Sequence, residues 1–518
     1  MVKGIPMKFK AMFLWLFTLT LSVFAETVEI QFLQTTDIHG FIKNGDDPEG
    51  GGWLRLAALI GERRAQYGPE RTLLIDCGDT CQGTLSASFS RGQIAPELLN
   101  GLKYDVWTTG NHELDFGVRR FHELCQTVGK IILCGNLSYV VDGRKHCFPA
   151  WRMFERGGAR IAVIGANARY LDNWLWGKSM KTYTVESAVS MLRRIMPEIL
   201  KSTPDMIVLA IHQGWLLNDS RNVNEITEIV QHFPEIDLIL GGHTHRSCPG
   251  TRLGRKTWYV QAGKHADNLA VILATIDPQQ HEVVNVTSHL VPATSDTPVD
   301  SDARQVVSQW LSRVKEFSEK PVGQLSKPIT ASGRAGEACG TSELICQAIA
   351  ATTHANIVFH GSFSDKDLPA GMLRELDLYA VIPYENSIGL ARLTEEELKQ
   401  IIEEQYANRK SYAYNGVWGA HVTVNRQGKV THLAARDMLS GSDQRLLVAL
   451  NSYVIAGGGG RFPRLREILR RPDAHLVDSG IDTRDALRRF LKENSPFQLR
   501  MTRWLTRQIK VKGGRRGR

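Results

Sequence analysis

Five stretches of the chain run an apolar, β-branched segment straight into side chains able to ligate a metal. They are VEIQFLQTTDIHG (Val28 to Gly40), TLLIDCGDT (Thr72 to Thr80), VWTTGNHELDFG (Val106 to Gly117), MIVLAIHQG (Met206 to Gly214) and DLILGGHTH (Asp237 to His245). Apolar runs of this length read as buried strands covered on both faces. Each is followed by Asp, His or Asn, usually beside Gly, which predicts Asp37, His39, Asp79, Asn111, His212, His243 and His245 along one rim of a single sheet. Open α/β sheets bind ligands at that rim, beyond the carboxyl ends of the strands. Carboxylate, imidazole and amide together suit borderline divalent cations such as Zn, Mn, Fe or Co. Seven donors exceed the four that one tetrahedral zinc uses, and with one carboxylate bridging they divide between two ions roughly 4 Å apart. A lone histidine at a strand end is usually a satisfied polar residue; the metal reading rests on the pattern recurring five times in order. Gly241 and Gly242 are expected to let backbone pass close to the ions with no Cβ in the way.

The elements that must position these residues exceed one domain, because 518 residues is beyond the usual size of a single core. Trp258 to Gly263, Leu269 to Ile276 and HEVVNVTSHLVP read as further strands. Val306, Val307, Trp310, Leu311, Val314 and Phe317 recur at helical spacing and predict a joining helix from Asp302 to Lys320, ended by Pro321. Beyond it, Ser342 to Thr353 reads as helix, ANIVFHG as strand, and LDLYAVIPYENSIGLARL as a helical turn followed by strand. Thr394 and Glu397 form a capping box for a helix reaching about Arg409, and VALNSYVIAGGGG runs from strand into a glycine loop. The expected division is a leader at 1–25, a first domain at 26–295, a linker helix at 296–323, a second domain at 324–505 and a basic tail at 506–518.

Lys3, Lys8 and Lys10 precede the apolar stretch Ala11 to Phe24, and small residues at the cleavage positions predict a secretory signal removed before Glu26. No later apolar run is long enough to span a bilayer, so the mature chain is expected to lack an integral membrane segment and to be exported, periplasmic or extracellular. The formal charge of +9 is concentrated in the leader and the tail KVKGGRRGR, leaving a nearly neutral body that does not suit nucleic-acid binding. No obligate protein partner is implied. Eight cysteines permit disulfides without requiring them, with Cys125 to Cys134 or Cys147 the favoured bridge; Cys77 and Cys81, flanking Asp79, fit as small buried residues.

DIHG, GDxxxG (Gly78-Asp79 to Gly83), GNHELD, an isolated strand-end His and GGHTH stand in the order found in calcineurin-like metallophosphoesterases. GNHELDFG (Gly110 to Gly117) resembles the branch of 5′-nucleotidases, UDP-sugar hydrolases and 2′,3′-cyclic-nucleotide phosphodiesterases. The resemblance is specific from about Val28 to Val291 and looser to about Leu469. It implies an α/β protein: a four-layer α/β/β/α metallophosphoesterase domain, two packed sheets flanked by helices, followed by a smaller α/β 5′-nucleotidase C-terminal domain that binds the nucleoside part of the substrate. It further implies two divalent metal ions, Zn, Mn or similar. Asp37, His39, Asp79 and His245 resemble the ligands of one, and Asp79, Asn111, His212 and His243 those of the other, with Asp79 bridging. His245 stands where some members have Gln. His112 resembles the family's catalytic histidine and Asp115 its orienting partner, while Asp76 resembles a structural carboxylate.

The implied reaction is in-line attack of metal-activated water on a small-molecule phosphate ester, a nucleotide. In place of the family's glycine pair and Arg, this chain has Phe359-His360-Gly361-Ser362-Phe363-Ser364, and its glycine loop reads GGGGRFP. Tyr414 and Phe462 resemble the aromatic pair that sandwiches the base, and Arg461 and Arg334 are candidates to restore the lost charge. Other readings are a 2′,3′-cyclic-nucleotide phosphodiesterase, a UDP-sugar hydrolase, a non-nucleotide phosphatase, or an exported nucleotide-binding protein without turnover.

Overall fold

The computed structural model describes residues 27–42, 52–176, 182–217, 224–332, 334–361, 363–384, 386–435, 438–439 and 443–501. The expected leader at 1–25 and basic tail at 506–518 lie outside the described residues. No helix among those described is long and apolar enough to cross a membrane.

The five apolar runs do form strands, but in two sheets, which corrects the expectation of a single rim. Val28–Thr35, Thr72–Asp76 and Val106–Trp107 lie parallel in a five-stranded sheet completed by antiparallel Asn268–Asp277 and Glu282–Pro292. Met206–Ile211 and Leu238–Leu240 lie parallel in a six-stranded sheet with Ala159–Ala166, Trp151–Arg156, Thr257–Ala262 and Ser247–Leu253. Both faces of each run are apolar because the two sheets pack on each other. Ile30, Phe32, Leu73 and Ile75 of the first meet Ile161, Val163, Val208 and Leu240 of the second in one buried cluster. On the outer face of the first sheet Leu33 and Leu74 pack under helices Trp53–Tyr67, Ile94–Gly101 and Val118–Val128. On that of the second, Ile164, Leu209 and Ile239 pack under helix Ala188–Lys201. The result is an α/β/β/α stack. Alternation along each strand, Ile30 and Phe32 inward and Leu33 outward, follows from the two-residue period.

The second unit is a five-stranded sheet in the order Gly416–Trp418, Ile357–His360, Leu446–Asn451, Ser387–Leu393, Val477–Asp482. Helices Gly340–Thr353 and Thr483–Glu493 cover one face, and Glu395–Ala407 and Pro463–Leu469 the other. The capping box forms, with Thr394 Oγ1 accepting from Glu397 N at 3.3 Å and the Glu397 carboxylate from Thr394 N at 3.0 Å; its helix stops at Ala407. Between the units the expected continuous helix is two pieces, Ser301–Val306 and Ser308–Ser318. The break at Val307 turns that side chain fully into the first unit's core and leaves Val306 40% exposed. All eight cysteines are free. The expected bridge from Cys125 to Cys134 or Cys147 is not formed, because Cys125 and Cys134 are separate buried thiols and Cys147 lies on the surface.

Parallel register brings the carboxyl ends of the metal-motif strands together within each sheet, with Thr35 opposite Asp76, Asp76 opposite Trp107, and Leu240 opposite Ala210. Two side chains then tie the loops that follow. Glu113, fully buried, accepts from Asp79 N (3.0 Å), Thr80 N (2.6 Å), Cys81 N (3.2 Å) and Gly110 N (2.5 Å), clamping the loop after Asp76 to the loop after Trp107. Asn167, at the end of a strand of the other sheet, donates to Thr109 Oγ1 at 2.9 Å and Gly110 O at 2.8 Å. Each buried donor left unpaired costs about 1–3 kcal/mol. Glu113→Ala therefore should destabilise the protein by about 3–5 kcal/mol, and Glu113→Gln, which keeps one accepting oxygen, by less. Denaturant midpoints of the two variants check the order; an Ala variant as stable as the parent removes the clamp.

Candidate active site

The two sets of loops meet where the sheets' carboxyl ends face each other. Donor atoms of Asp37, His39 and His245 lie within 4.8 Å of one another, as do those of Asp79, His212 and His243. Asp79 stands between the groups, its carboxylate 2.9 Å from His212 Nε2 and 3.9 Å from His39 Nε2. Hydrogen bonds aim the imidazoles. His212 Nδ1 meets Cys77 O at 2.7 Å and His39 Nδ1 meets Gln82 O at 3.0 Å, so each ring spends Nδ1–H on a carbonyl and presents Nε2 to the cluster. His243 N donates to both oxygens of Asp37, at 3.1 and 3.0 Å, joining the two sheets.

Three observations test whether these residues suit divalent cations. Asn111 Oδ1 and His212 Nε2 are buried without a hydrogen-bond partner, although His212 Nε2 lies within 2.9 Å of Asp79; that contact has the distance but not the direction of a hydrogen bond. His39 Nε2 and His245 Nε2 converge to 3.0 Å. Burial, assisted by the neighbouring Asp79, pushes the Asp37 carboxyl up to about 7, whereas Asp79 is held well below the usual range, its burial outweighed by His212 and His112. Orphaned acceptors and a carboxyl that burial discourages from ionising are what a cation at this point relieves. The residues fit.

Five of the seven candidate ligands, Asp37, His39, Asp79, His243 and His245, have φ between 51° and 68°. Non-glycine residues there cost on the order of 1–3 kcal/mol each and persist where the surroundings over-determine them. A Cβ on Gly78 would stand 2.4 Å from Gly110 N, and one on Gly242 2.5 Å from Thr36 Oγ1 and 3.0 Å from His212 Nδ1. Gly241 instead makes room for Tyr259, whose hydroxyl would be 2.2 Å away, so its smallness serves packing and not the ligand cluster. Asp76 is a brace, accepting from Thr35 and Thr80 hydroxyls at 2.6 Å each and from Gly78 N at 3.0 Å.

His112 sits beside the cluster, its ring edge-on to His39 at 5.2 Å. Its Nδ1 is 2.7 Å from Asp115 Oδ2, and its backbone N donates to Asp79 Oδ1 at 2.8 Å. Burial alone would lower the His112 pKa; Asp115 and Asp79 outweigh it and raise it to about 10, which favours the imidazolium. Its side chain remains 28% exposed, open to a bound anion.

His39, Asp79, Asn111, His112, Asp115, His243 and His245 line one wall of a cleft of about 1080 Å³ whose other wall is the second unit, with Asp37 and His212 buried behind them. Neither expected base-clamp residue is on it. Phe462 is fully buried in the second unit's core and Tyr414 packs over Gly336, while Arg461, next to Phe462, turns toward the cleft. Tyr384, Tyr412 and Tyr453 stand on that wall instead, the first two 50% and 70% exposed, with Tyr379 and Phe363 also lining it. The Arg461 guanidinium lies 4.6 Å from the Tyr412 ring centroid. Arg334 is 82% exposed, 3.9 Å from Glu337 and away from the cleft. Sequence reasoning missed Glu113, Asn167, His265 and the three tyrosines. Glu113 stands inside the GNHELD motif and was legible there, but nothing local marks which tyrosines face a cleft built by two units.

Residues 30–247 match the family model of calcineurin-like phosphoesterases, and residues 321–467 match that of the 5′-nucleotidase C-terminal domain. The 5′-nucleotidase of Vibrio cholerae is 22% identical over 527 residues, covering 92% of each chain. A snake venom 5′-nucleotidase of Crotalus adamanteus is 23% identical over 438 residues, covering 75% of this chain and 72% of its own. Among solved structures, a putative 5′-nucleotidase of Staphylococcus aureus superposes with a TM-score of 0.77 at 20% identity, over 90% of this chain and 98% of its own. A 5′-nucleotidase precursor of Thermus thermophilus gives 0.70 at 19%, over 91% and 97%. Two family matches in this order, on a four-layer unit followed by a smaller α/β unit, place the chain in the 5′-nucleotidase family of calcineurin-like metallophosphoesterases, as a phosphoric ester hydrolase.

Proposed function

We propose that the chain is an exported, binuclear-metal phosphoesterase that hydrolyses nucleotides or related phosphate esters, its first unit (26–295) supplying the chemistry and its second (324–505) the leaving-group site. The observation that carries this reading is the placement of both ligand groups and the His112–Asp115 pair on the same cleft as the tyrosine wall. Asp37, His39, Asp79 and His245 would hold one ion and Asp79, Asn111, His212 and His243 the other. Such ions neutralise phosphoryl oxygens and lower the pKa of water enough to make it a nucleophile near neutral pH. Asp115 keeps His112 protonated and oriented, so that Nε2–H is presented to the negative charge that grows on the phosphoryl group. Tyr384, Tyr412 and Tyr453 offer ring faces to a planar leaving group, and stacking of this kind tolerates any base. The loop Phe359 to Ser364 carries no Arg, and the cleft instead presents Arg461 on Tyr412. That exchange favours a leaving group read differently from that of relatives with the glycine–Arg loop. Export rests on the leader sequence.

Phosphate release by purified protein loaded with Mn or Zn, across nucleotides, cyclic nucleotides, UDP-sugars and aryl phosphates, tests the reading; no release from any of them sinks it. Asp79→Asn should lose metal from both positions and nearly all turnover, and two full ions in an active variant would contradict the bridging role. His112→Ala should keep its metal while losing about 10²–10⁴-fold in kcat, with Asp115→Asn losing less; full activity of the Ala variant would leave His112 a bystander. Removing one stacking face is worth about 1–3 kcal/mol. Tyr412→Ala and Tyr453→Ala should accordingly weaken nucleotide KM about tenfold or more with aryl phosphate hydrolysis unchanged, and equal loss on both substrates would move the leaving-group site elsewhere.

A further inference from the structure

His265 belongs to none of the motifs, yet it lies on the cleft wall among the candidate ligands. It follows the strand Thr257–Ala262 in the sequence GKHAD. Its backbone N donates to Asp37 O at 2.8 Å, tying the turn to the first ligand loop. Its φ of 56° repeats the left-handed conformation of the ligands themselves, a strain that marks functional turns. The ring is edge-on to His39 at 5.9 Å and to His245 at 6.1 Å. One face is covered by Phe41, stacked at 4.0 Å with 16° between planes. The ring is therefore held in place by packing, while no protein hydrogen bond among the described residues engages either nitrogen. It is also not among the groups whose donor atoms converge tightly enough to share an ion. A fixed, partly exposed imidazole beside the cluster, with its hydrogen-bonding capacity unspent, has the chemistry of an anion contact.

We propose that His265 is a further catalytic residue that donates a hydrogen bond to a phosphoryl oxygen of the bound ester, with Phe41 as the positioning residue that fixes its ring. The inference rests on the phosphoesterase reading above and adds to it a phosphoryl contact from the turn after Ala262. Because the contact is to the phosphoryl group, it serves every ester the cleft accepts and is independent of the leaving group.

The test uses the full chain loaded with Mn or Zn, inorganic phosphate as the inhibitory probe, and His265→Ala, His265→Gln and Phe41→Leu. Metal content and melting temperature of His265→Ala should match the parent. Its inhibition constant for phosphate should rise, and its kcat/KM fall, by about 10- to 100-fold, equally on an aryl phosphate and on AMP. His265→Gln, which still offers an N–H, should recover part of both, and Phe41→Leu should fall between Ala and parent. Unchanged phosphate inhibition in His265→Ala overturns the proposal. So does loss of metal, which would make His265 a ligand or a structural residue, and so does a defect confined to nucleotides. A parent protein that binds metal and hydrolyses esters while His265→Ala is indifferent refutes this inference alone; a parent that does neither removes the phosphoesterase reading beneath it.

Discussion

Asp37 and Asp79 are withdrawn from solvent and bounded by His39, His212, His243 and His245. Holding two carboxylates at such close quarters in a low-dielectric pocket is unfavourable unless each gains compensating contacts. The surrounding structure supplies them in layers: imidazoles turned edge-in by carbonyls, backbone donors from His112 and His243, and a buried Glu113 that spends its own charge on four N–H groups. That last clamp, with the His112 N to Asp79 hydrogen bond, holds the loop carrying Asp79 against the loop carrying Asn111, where the strands feeding them, Thr72–Asp76 and Val106–Trp107, pair over only two residues.

The same requirement explains the concentration of left-handed residues at the strand ends. A strand side chain stands perpendicular to its sheet, so a residue that must point along the strand, toward the opposite sheet's loops, has to leave extended geometry at once. Asp37, His39, Asp79, His243 and His245 do so by taking positive φ, and Gly78 and Gly242 remove the Cβ atoms that would obstruct their neighbours. Strain of this kind is affordable only on a rigid support. The intersheet core of Ile30, Phe32, Ile75, Val163, Val208 and Leu240, with essentially no exposure, is that support.

The second unit is coupled to this centre through a short segment of the first. Asn173 accepts from Gly459 N at 3.0 Å through its carbonyl and from Arg466 at 2.5 Å through its side chain. Trp176 packs into the second unit's core, against Gly389 and Ile455. Between them Trp174 stands edge-on to His243 at 4.7 Å. Three residues within four positions, Asn173, Trp174 and Trp176, thus touch the glycine loop, a candidate ligand and the second core, so the placement of the tyrosine wall and the geometry of the candidate ligand cluster are mechanically linked.

The sequence by itself determined the types of the candidate ligands, their order and their attachment to strand ends, because each follows an apolar run directly and needs no long-range contact to be read. It also determined the Thr394 capping box and the order of the two units, since both are local patterns. Which strands shared a sheet was beyond it: an apolar run reads the same whether its second face meets a helix or another sheet, and only the tertiary packing split the five runs between two sheets. The tertiary structure likewise decided that Phe462 is core and Arg461 is cleft, because four successive positive-φ glycines, Gly457 to Gly460, leave the direction of the chain after them unset by any local pattern. It decided that Tyr384, Tyr412 and Tyr453 line the same cleft of about 1080 Å³ as His39 and His112, and that His265 stands on that cleft beside the candidate ligands. Those relations run between residues tens to hundreds of positions apart, where no local propensity carries information and only the packing of two cores sets the distance.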